Sequence, residues 1–314
     1  MSGKDATTVL PPDREGIGHA ARLLREGALV ALPTETVYGL AARADSAAAV
    51  AEIYRAKGRP DFNPLIVHVA SREWAEALAE FDDRARLLAE RFWPGPLTLV
   101  LPLRDWAAVA PAVTAGLPTI ALRMPAHPVM RAVLAEAGLP LAAPSANRSG
   151  AISPTRAEHV VSSLGGKVPL VLDGGPCAAG LESTIVALRA DGGWQLLRPG
   201  PIGKAEIAAL LGAPHDVTSA RIEAPGQLAG HYAPGKPLRL GASEAVPDEF
   251  LIGFGPVAGD CSLSESGDLA EAAAQLYACL HLAAAAPQSR IAVAPIPEDG
   301  IGAAIADRLR RAAA

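Results

Sequence analysis

Cysteine is scarce: three in 314 residues, Cys177, Cys261 and Cys279, with no Cys-x-x-Cys pair among them. An odd, scattered set of this kind gives neither a disulfide framework nor a thiolate zinc site, and it suits a reducing cytosol. Aromatic residues make up 4% of the chain, which leaves little surface on which bases could stack. Excess positive charge is also missing: 28 Lys and Arg stand against 33 Asp and Glu, a net charge of −5. Binding of nucleic acid through overall charge is therefore disfavoured, and any polyanion site must be local. Apolar runs such as Ala28-Leu29-Val30-Ala31-Leu32 stop at Pro33, far short of the roughly 18 residues that a spanning helix needs. The first sixteen residues are polar, carry Pro11-Pro12 and lack the apolar core of a secretory signal.

Several familiar motifs are absent too. Gly165-Gly166-Lys167-Val168 lacks the spacing and the hydroxyl of a P-loop, and there is neither a Gly-x-Ser-x-Gly elbow nor a His-Glu-x-x-His helix. The loop Gly253-Phe254-Gly255-Pro256-Val257-Ala258-Gly259 follows a strand, but its third glycine comes one residue late for a dinucleotide loop and no helix starts there.

Half of the residues are hydrophobic and 19% are charged, the balance of a soluble globular protein, and the length suggests about two domains. Apolar spacing predicts helices over 13–26, 46–56, 72–80, 83–92, 128–137, 155–164 and 204–211, with strands at 28–32, 65–69, 97–101, 119–123, 141–143, 170–172, 184–188 and 195–197. This alternation predicts an α/β layered domain with a largely buried sheet. From 213 to 237 the periodicity lapses into Pro and Gly, which reads as a linker. Strands at 238–240, 250–254 and 291–294, with helices at 269–284 and 303–311, then make a small second α/β unit.

Polar clusters sit at the strand ends, where α/β folds hold ligands. The segment 33–40 carries three hydroxyl side chains and Glu35 before turning at Gly39. Lys57 and Arg59 flank one glycine in a loop stiffened by Pro60 and Pro64, a rigid pair of charges suited to a polyphosphate, although cations at a helix end also answer the helix dipole. Arg123 closes an apolar strand, where an arginine is ordinarily a solvated charge, and His68 by itself reads as a core histidine. Small hydrogen-bonding groups crowd 144–153 and 180–184, a composition able to cradle phosphate.

In order, Pro-Thr-Glu-Thr-Val-Tyr-Gly-Leu at 33–40, Lys-Gly-Arg-Pro at 57–60, Phe-Trp-Pro-Gly-Pro-Leu-Thr at 92–98, Pro-Ser-Ala-Asn at 144–147 and Glu-Ser-Thr-Ile at 182–185 resemble the YrdC-domain family over residues 10–212. His231-Tyr232-Ala233-Pro234, in a linker ahead of a small α/β unit, is similar to the family's long two-domain form. The resemblance implies a twisted, mostly parallel open α/β sheet around a ligand cleft over 10–212, a linker over 213–237 and a smaller Rossmann-like module over 238–314. It also implies a cytoplasmic reaction that joins L-threonine, bicarbonate or CO2, and ATP into threonylcarbamoyl-AMP and pyrophosphate, for later transfer to tRNA by a separate transferase machinery. On that resemblance Lys57 and Arg59 are expected to be catalytic. Arg59, Asn63, Thr119, Ser145, Asn147, Ser153, Arg198 and Tyr232 are expected on the nucleotide, and Thr36, His68, Arg123 and Ser183 around threonine. Mg²⁺ is expected on the phosphates, with ligands that the sequence does not identify. No residue of the clusters is an evident nucleophile, which points to catalysis by positioning and electrostatics. Competing readings are an RNA-binding module of the same fold, for which no basic stripe is visible, and carbamoyl transfer in hydrogenase maturation, for which the zinc-finger cysteine pairs are missing.

Overall fold

Local signals begin the elements that carry the motifs. Ser46 accepts a hydrogen bond from the Ala49 N–H and caps the helix Ala47–Lys57, which ends at Gly58 in the left-handed conformation (φ +61). Glycine adopts that φ at little cost. The reversal sets Lys57 and Arg59 on either side of the helix end. Asp13 and Asp82 cap the helices Arg14–Arg25 and Asp83–Phe92 in the same manner.

In the computed structural model, which describes residues 6–215, 223–226 and 231–314, two sheets organise the chain. The first contains β1 (Thr8–Leu10), β2 (Val30–Leu32), β3 (Gly39–Arg43), β4 (Ile66–His68), β5 (Leu97–Pro102), β6 (Thr119–Arg123), β7 (Leu141–Ala142), β8 (Leu170–Leu172), β9 (Thr184–Leu188) and β10 (Trp194–Arg198). Their order across the sheet is β1-β8-β2-β3-β7-β4-β6-β5-β9-β10. Pairing is parallel among β1, β8 and β2, between β4 and β6, and between β5 and β9, and antiparallel at the remaining pairs. The second sheet is parallel, in the order β11 (Leu238–Leu240), β14 (Arg290–Val293), β12 (Glu249–Gly253), β13 (Cys261–Ser262).

The two faces of the first sheet differ in use. Leu65, Val67, Leu99, Leu101, Leu122 and Val186 point into the main core against the helices. Their neighbours Ile66, Val100, Ala121, Ile185 and Ala187 form a separate apolar floor, on which Ala224 packs. Alternation along a strand therefore puts His68, Thr98, Thr119 and Arg123 on this second face. A register shift between Leu196 and Arg198 in β10 pairs Arg198 with Ile185 and brings it to that face as well.

A further core joins the two sheets: Val37, Ile152 and Leu181 pack with Tyr232, Ile252, Phe254, Leu276, Tyr277 and Leu280. Each large apolar side chain buried there stabilises by about 1.5–3 kcal/mol. Across the same seam the rings of His159 and His281 stack with centroids 3.8 Å apart. Burial, then the neighbouring ring, lowers the His159 pKa to about 3, and burial lowers that of His281. A depressed folded-state pKa means that the stability is present above the unfolded value near 6.5 and is lost as pH falls toward 3. Between pH 6.5 and 5 each ring can therefore withdraw at most about 2 kcal/mol. The expected result is a melting temperature that falls over this interval, and a His159→Gln/His281→Gln variant whose fall is shallower. Parallel curves would show that the stack does not titrate.

Three features depart from the sequence reading. Gly39 does not end a turn: the chain reverses within 33–38, and Gly39 opens β3, antiparallel to β2. Gly-Leu-Ala-Ala-Arg is buried on both faces and so shows no period-two signal. β1 pairs with β8 at the sheet edge, a contact between segments too distant in sequence to leave a local pattern. Arg123, at a strand end where an arginine is ordinarily solvated, is buried, as are Lys57 and Arg59. The Gly253–Gly259 loop folds back on its own strand, where a Cβ on either glycine would meet backbone within 2.5 Å. Of the stretch expected as a linker, 216–222 and 227–230 lie outside the described residues.

Candidate functional site

Arg123, at the end of β6, is in register with His68 at the end of β4. Its Nη1 donates to Thr36 Oγ1 at 2.8 Å and its Nε to the Gly95 carbonyl at 3.2 Å. Nη2 stands 2.6 Å from Glu35 Oε1, an ionic contact without hydrogen-bond alignment, so Nη2 and both Glu35 oxygens keep unused hydrogen-bonding capacity. Burial opposes the Glu35 charge, but Arg123 outweighs it and holds the carboxyl below its usual range. Burial, then Arg123, pushes His68 down to about 3, so its imidazole is neutral, and its Nδ1 has no partner. Thr34 Oγ1 accepts from the Thr36 and Val37 N–H groups and fixes the loop that delivers Thr36. Ser183 Oγ completes this end, 2.7 Å from Thr98 Oγ1 and accepting from Arg198 Nη2 at 3.0 Å.

Arg59 reaches the cleft from the other side. Its Nε and Nη2 donate to the carbonyls of Asn63 and Pro64 and lock the loop between the prolines. Burial lowers its pKa to about 10, so the guanidinium stays charged at neutral pH. Lys57 turns away: its Nζ donates to the Ser145 and Asn147 carbonyls at 2.6 and 2.5 Å and anchors the Pro-Ser-Ala-Asn loop from beneath. Burial, then Arg59, lowers its pKa well below the ordinary lysine value. Asn147 donates through Nδ2 to the Arg148 and Ala151 carbonyls, which leaves its Oδ1 unpaired, as is Asn63 Oδ1. Ser153 Oγ donates to Glu182 at 2.6 Å.

Described residues from between the two sheets lie over this face. Pro225, Gly226, His231 and Tyr232 line the cleft together with Thr36, Arg59, His68, Arg123, Ser145, Glu182, Ser183 and Arg198. Arg198 Nε donates to the Ser183 carbonyl and its Nη1 faces the Pro225 carbonyl at 3.5 Å. Tyr232 is 1% exposed and has φ +67, a conformation that costs a residue with a side chain about 1–3 kcal/mol and persists only where packing enforces it. Gly226 has φ +87, a conformation that favours glycine, and a Cβ there would lie 3.0 Å from Arg198 Cδ and 3.3 Å from the Tyr232 hydroxyl oxygen. The enclosed space left is about 50 Å³, against roughly 300–1,000 Å³ for a typical ligand cleft. The described residues leave little free space between this face and Pro225, Gly226, His231 and Tyr232.

Eight of the expected site residues thus line one cleft: Thr36, Arg59, His68, Arg123, Ser145, Ser183, Arg198 and Tyr232. Lys57, Asn63, Asn147 and Ser153 support its walls. Thr119 shares the cleft face but starts β6, about 13 Å along the strand from Arg123 at roughly 3.3 Å per residue. Glu35 and Thr98, beside Arg123 and Ser183, had no role in the sequence reading. Buried atoms without a partner concentrate here: Asn63 Oδ1, His68 Nδ1, Asn147 Oδ1 and His231 Nδ1, beside the ionic contact of Glu35 with Arg123. Each such group costs about 1–3 kcal/mol while unpaired, and a cluster of them marks a surface shaped for a polar ligand. Three guanidinium groups, a neutral imidazole and several hydroxyls can together hold a carboxylate and a phosphate side by side.

Comparison with known proteins identifies the family. The Sua5–YciO–YrdC family model, described as Telomere recombination, matches residues 22–200, and the model described as Threonylcarbamoyl-AMP synthase, C-terminal domain, matches 202–314. The Bacillus subtilis Threonylcarbamoyl-AMP synthase is 42% identical, over 98% of this chain and 96% of its own length. Its namesake in Pyrococcus abyssi is 39% identical, over 93% and 92%. The crystal structure of P. abyssi Sua5 complexed with L-threonine superposes with a TM-score of 0.89 at 37% identity, covering 98% of both chains. The chain therefore belongs to the Sua5–YciO–YrdC family, in the form that carries the Threonylcarbamoyl-AMP synthase C-terminal domain.

Proposed function

We infer that this chain is a nucleotidyltransferase that forms threonylcarbamoyl-AMP and pyrophosphate from L-threonine, bicarbonate or CO2, and ATP. The observation that carries the reading is the meeting of Arg123, Arg59 and Arg198 in one cleft, in a chain whose near relatives over almost their full length are named for that product. Threonine's ammonium group loses a proton, the free amine adds to the carbon of CO2, and a second proton leaves the nitrogen to solvent to give a carbamate. A carbamate oxygen then attacks the α-phosphorus of ATP, and pyrophosphate leaves with the electrons of the broken P–O bond.

In this reading Arg123 holds the threonine carboxylate through two parallel hydrogen bonds, which leaves the amine as the reacting end. Thr36, His68 and Ser183 surround the amino acid, and neutral His68 offers a hydrogen bond without repelling the ammonium group. Arg59 and Arg198 neutralise the phosphates, while Lys57 fixes the loop of Ser145 and Asn147. Those two residues, with Asn63, Thr119 and Ser153, position the nucleotide, and Tyr232 closes over it and keeps water from a reactive mixed anhydride. Among the described residues no group of three or more His, Cys, Asp or Glu could hold a metal ion. A Mg²⁺ ion borne by the nucleotide's own oxygens fits such a site, and when bound it would supply further charge neutralisation.

We further place the product's consumer among tRNA-modifying transferases, and the reaction in the cytoplasm. No described helix is long and apolar enough to cross a membrane. We take the functional division as 10–212, 213–237 and 238–314. Pyrophosphate release tests the reading: it is expected to need threonine, bicarbonate and ATP together. Release from ATP and bicarbonate without an amino acid would refute it.

A further inference from the structure

The C-terminal module reaches into the site through a buried ion pair. Arg308, on the helix Gly302–Ala312, has no exposed surface, and a buried guanidinium is tolerated only when its donors are matched. Its Nε donates to Glu182 Oε2 at 2.8 Å, its Nη1 to Asp307 Oδ2 at 2.7 Å and its Nη2 to the Pro199 carbonyl at 3.0 Å. Tyr277, on the helix Leu269–Ala285, donates its hydroxyl to the same carboxylate, 2.9 and 3.0 Å from the two oxygens. From the other side Glu182 Oε1 accepts a hydrogen bond from Ser153 Oγ. Burial opposes the Glu182 charge, but Arg308 and then Arg198 outweigh it and hold the pKa at about 2.

The same two residues support Tyr232. The Arg308 guanidinium carbon lies 5.3 Å from the Tyr232 ring centroid, and the Tyr277 ring packs against it at 5.6 Å. These contacts brace the left-handed backbone at Tyr232 and hold its hydroxyl near Gly226 and Arg198. Glu182 itself lines the cleft beside Ser183 and Arg198.

We propose that Arg308 and Tyr277 are positioning residues for the nucleotide, acting through Glu182 on Ser153 and through ring contacts on Tyr232, so that the C-terminal module is an integral part of the site. The proposal rests on the reading of Ser153 and Tyr232 as nucleotide contacts. A module that served only as a prop would, when loosened, weaken threonine and ATP binding alike. A relay that ends on Ser153 and Tyr232 acts on ATP.

The test uses the full chain and measures ATP affinity by calorimetry alongside the KM values for ATP and threonine. Tyr277→Phe removes one donor and no volume; it is expected to raise the ATP Kd and KM three- to tenfold and leave the threonine KM within twofold. Arg308→Met should raise the ATP values at least tenfold. Adding Glu182→Gln to it removes the stranded carboxylate charge yet keeps an acceptor for Ser153, and should restore ATP binding to within threefold of wild type. Arg310→Met, on the same helix but at an exposed ion pair with Glu298, is the control and should match wild type. ATP affinities within twofold of wild type in both Tyr277→Phe and Arg308→Met, or equal losses for the two substrates, overturn the proposal. If Arg308→Met does not fold, Tyr277→Phe carries the decision. If the wild type releases no pyrophosphate, the proposed reaction fails, and calorimetry with ATP still decides the role of Tyr277 and Arg308.

Discussion

Arg59→Ala is expected to lower the turnover of pyrophosphate release roughly a hundredfold or more, the cost of removing a charged donor aimed at developing phosphate charge. Arg59 is suited to the task because its fork is already ordered: two of its nitrogens hold the Asn63 and Pro64 carbonyls, and the group lines the cleft as a charged, largely desolvated cation. In such surroundings a positive charge acts far more strongly than in water. The two carbonyl contacts also contribute to stability, so alanine should lower it by about 1–3 kcal/mol. A thermal melt separates the effects. Arg59→Lys keeps the charge and loses the fork, and should fall between wild type and alanine. Turnover of the folded alanine variant within threefold of wild type would remove Arg59 from the reaction.

Arg123→Lys should raise the threonine KM at least tenfold and leave the ATP KM within about twofold. The guanidinium is positioned by Thr36, Gly95 and Glu35, and a lysine ammonium cannot reproduce two parallel hydrogen bonds to a carboxylate. Because the charge is retained, the neighbouring Glu35 keeps a partner and the fold should persist. Equal changes in both KM values would show that Arg123 does not distinguish the substrates.

The part of the site that a sequence displays is the part built from contiguous residues. Lys57-Gly58-Arg59, Pro-Ser-Ala-Asn and Glu-Ser-Thr-Ile each lie in one short stretch at the end of a helix or strand, so residue type and spacing survive in the linear text. Side-chain direction does not survive: Lys57 and Arg59 look equivalent in sequence, yet one donates to the carbonyls beneath Ser145 and Asn147 and the other lines the cleft. Arg198 is expected on the nucleotide only through the family resemblance, because residue spacing does not show the register shift in β10 that turns it to the cleft face. Tyr277 and Arg308 are 95 and 126 residues from Glu182, a separation at which no local pattern operates. One signal was available. Arg308 occupies the apolar stripe of its helix with Ala304, Ile305, Leu309 and Ala312, and an arginine in that position must have a buried partner.

The most direct test of the account is the mass of the adenylate formed from ¹³C-bicarbonate, L-threonine and ATP. With its carboxylate on Arg123, threonine reacts through nitrogen, so the account predicts an adenylate that contains threonine and one ¹³C atom, in step with pyrophosphate. An adenylate of threonine itself, without ¹³C, would mean that the carboxylate attacks the phosphorus, and would contradict both the orientation of threonine in the cleft and the assigned reaction.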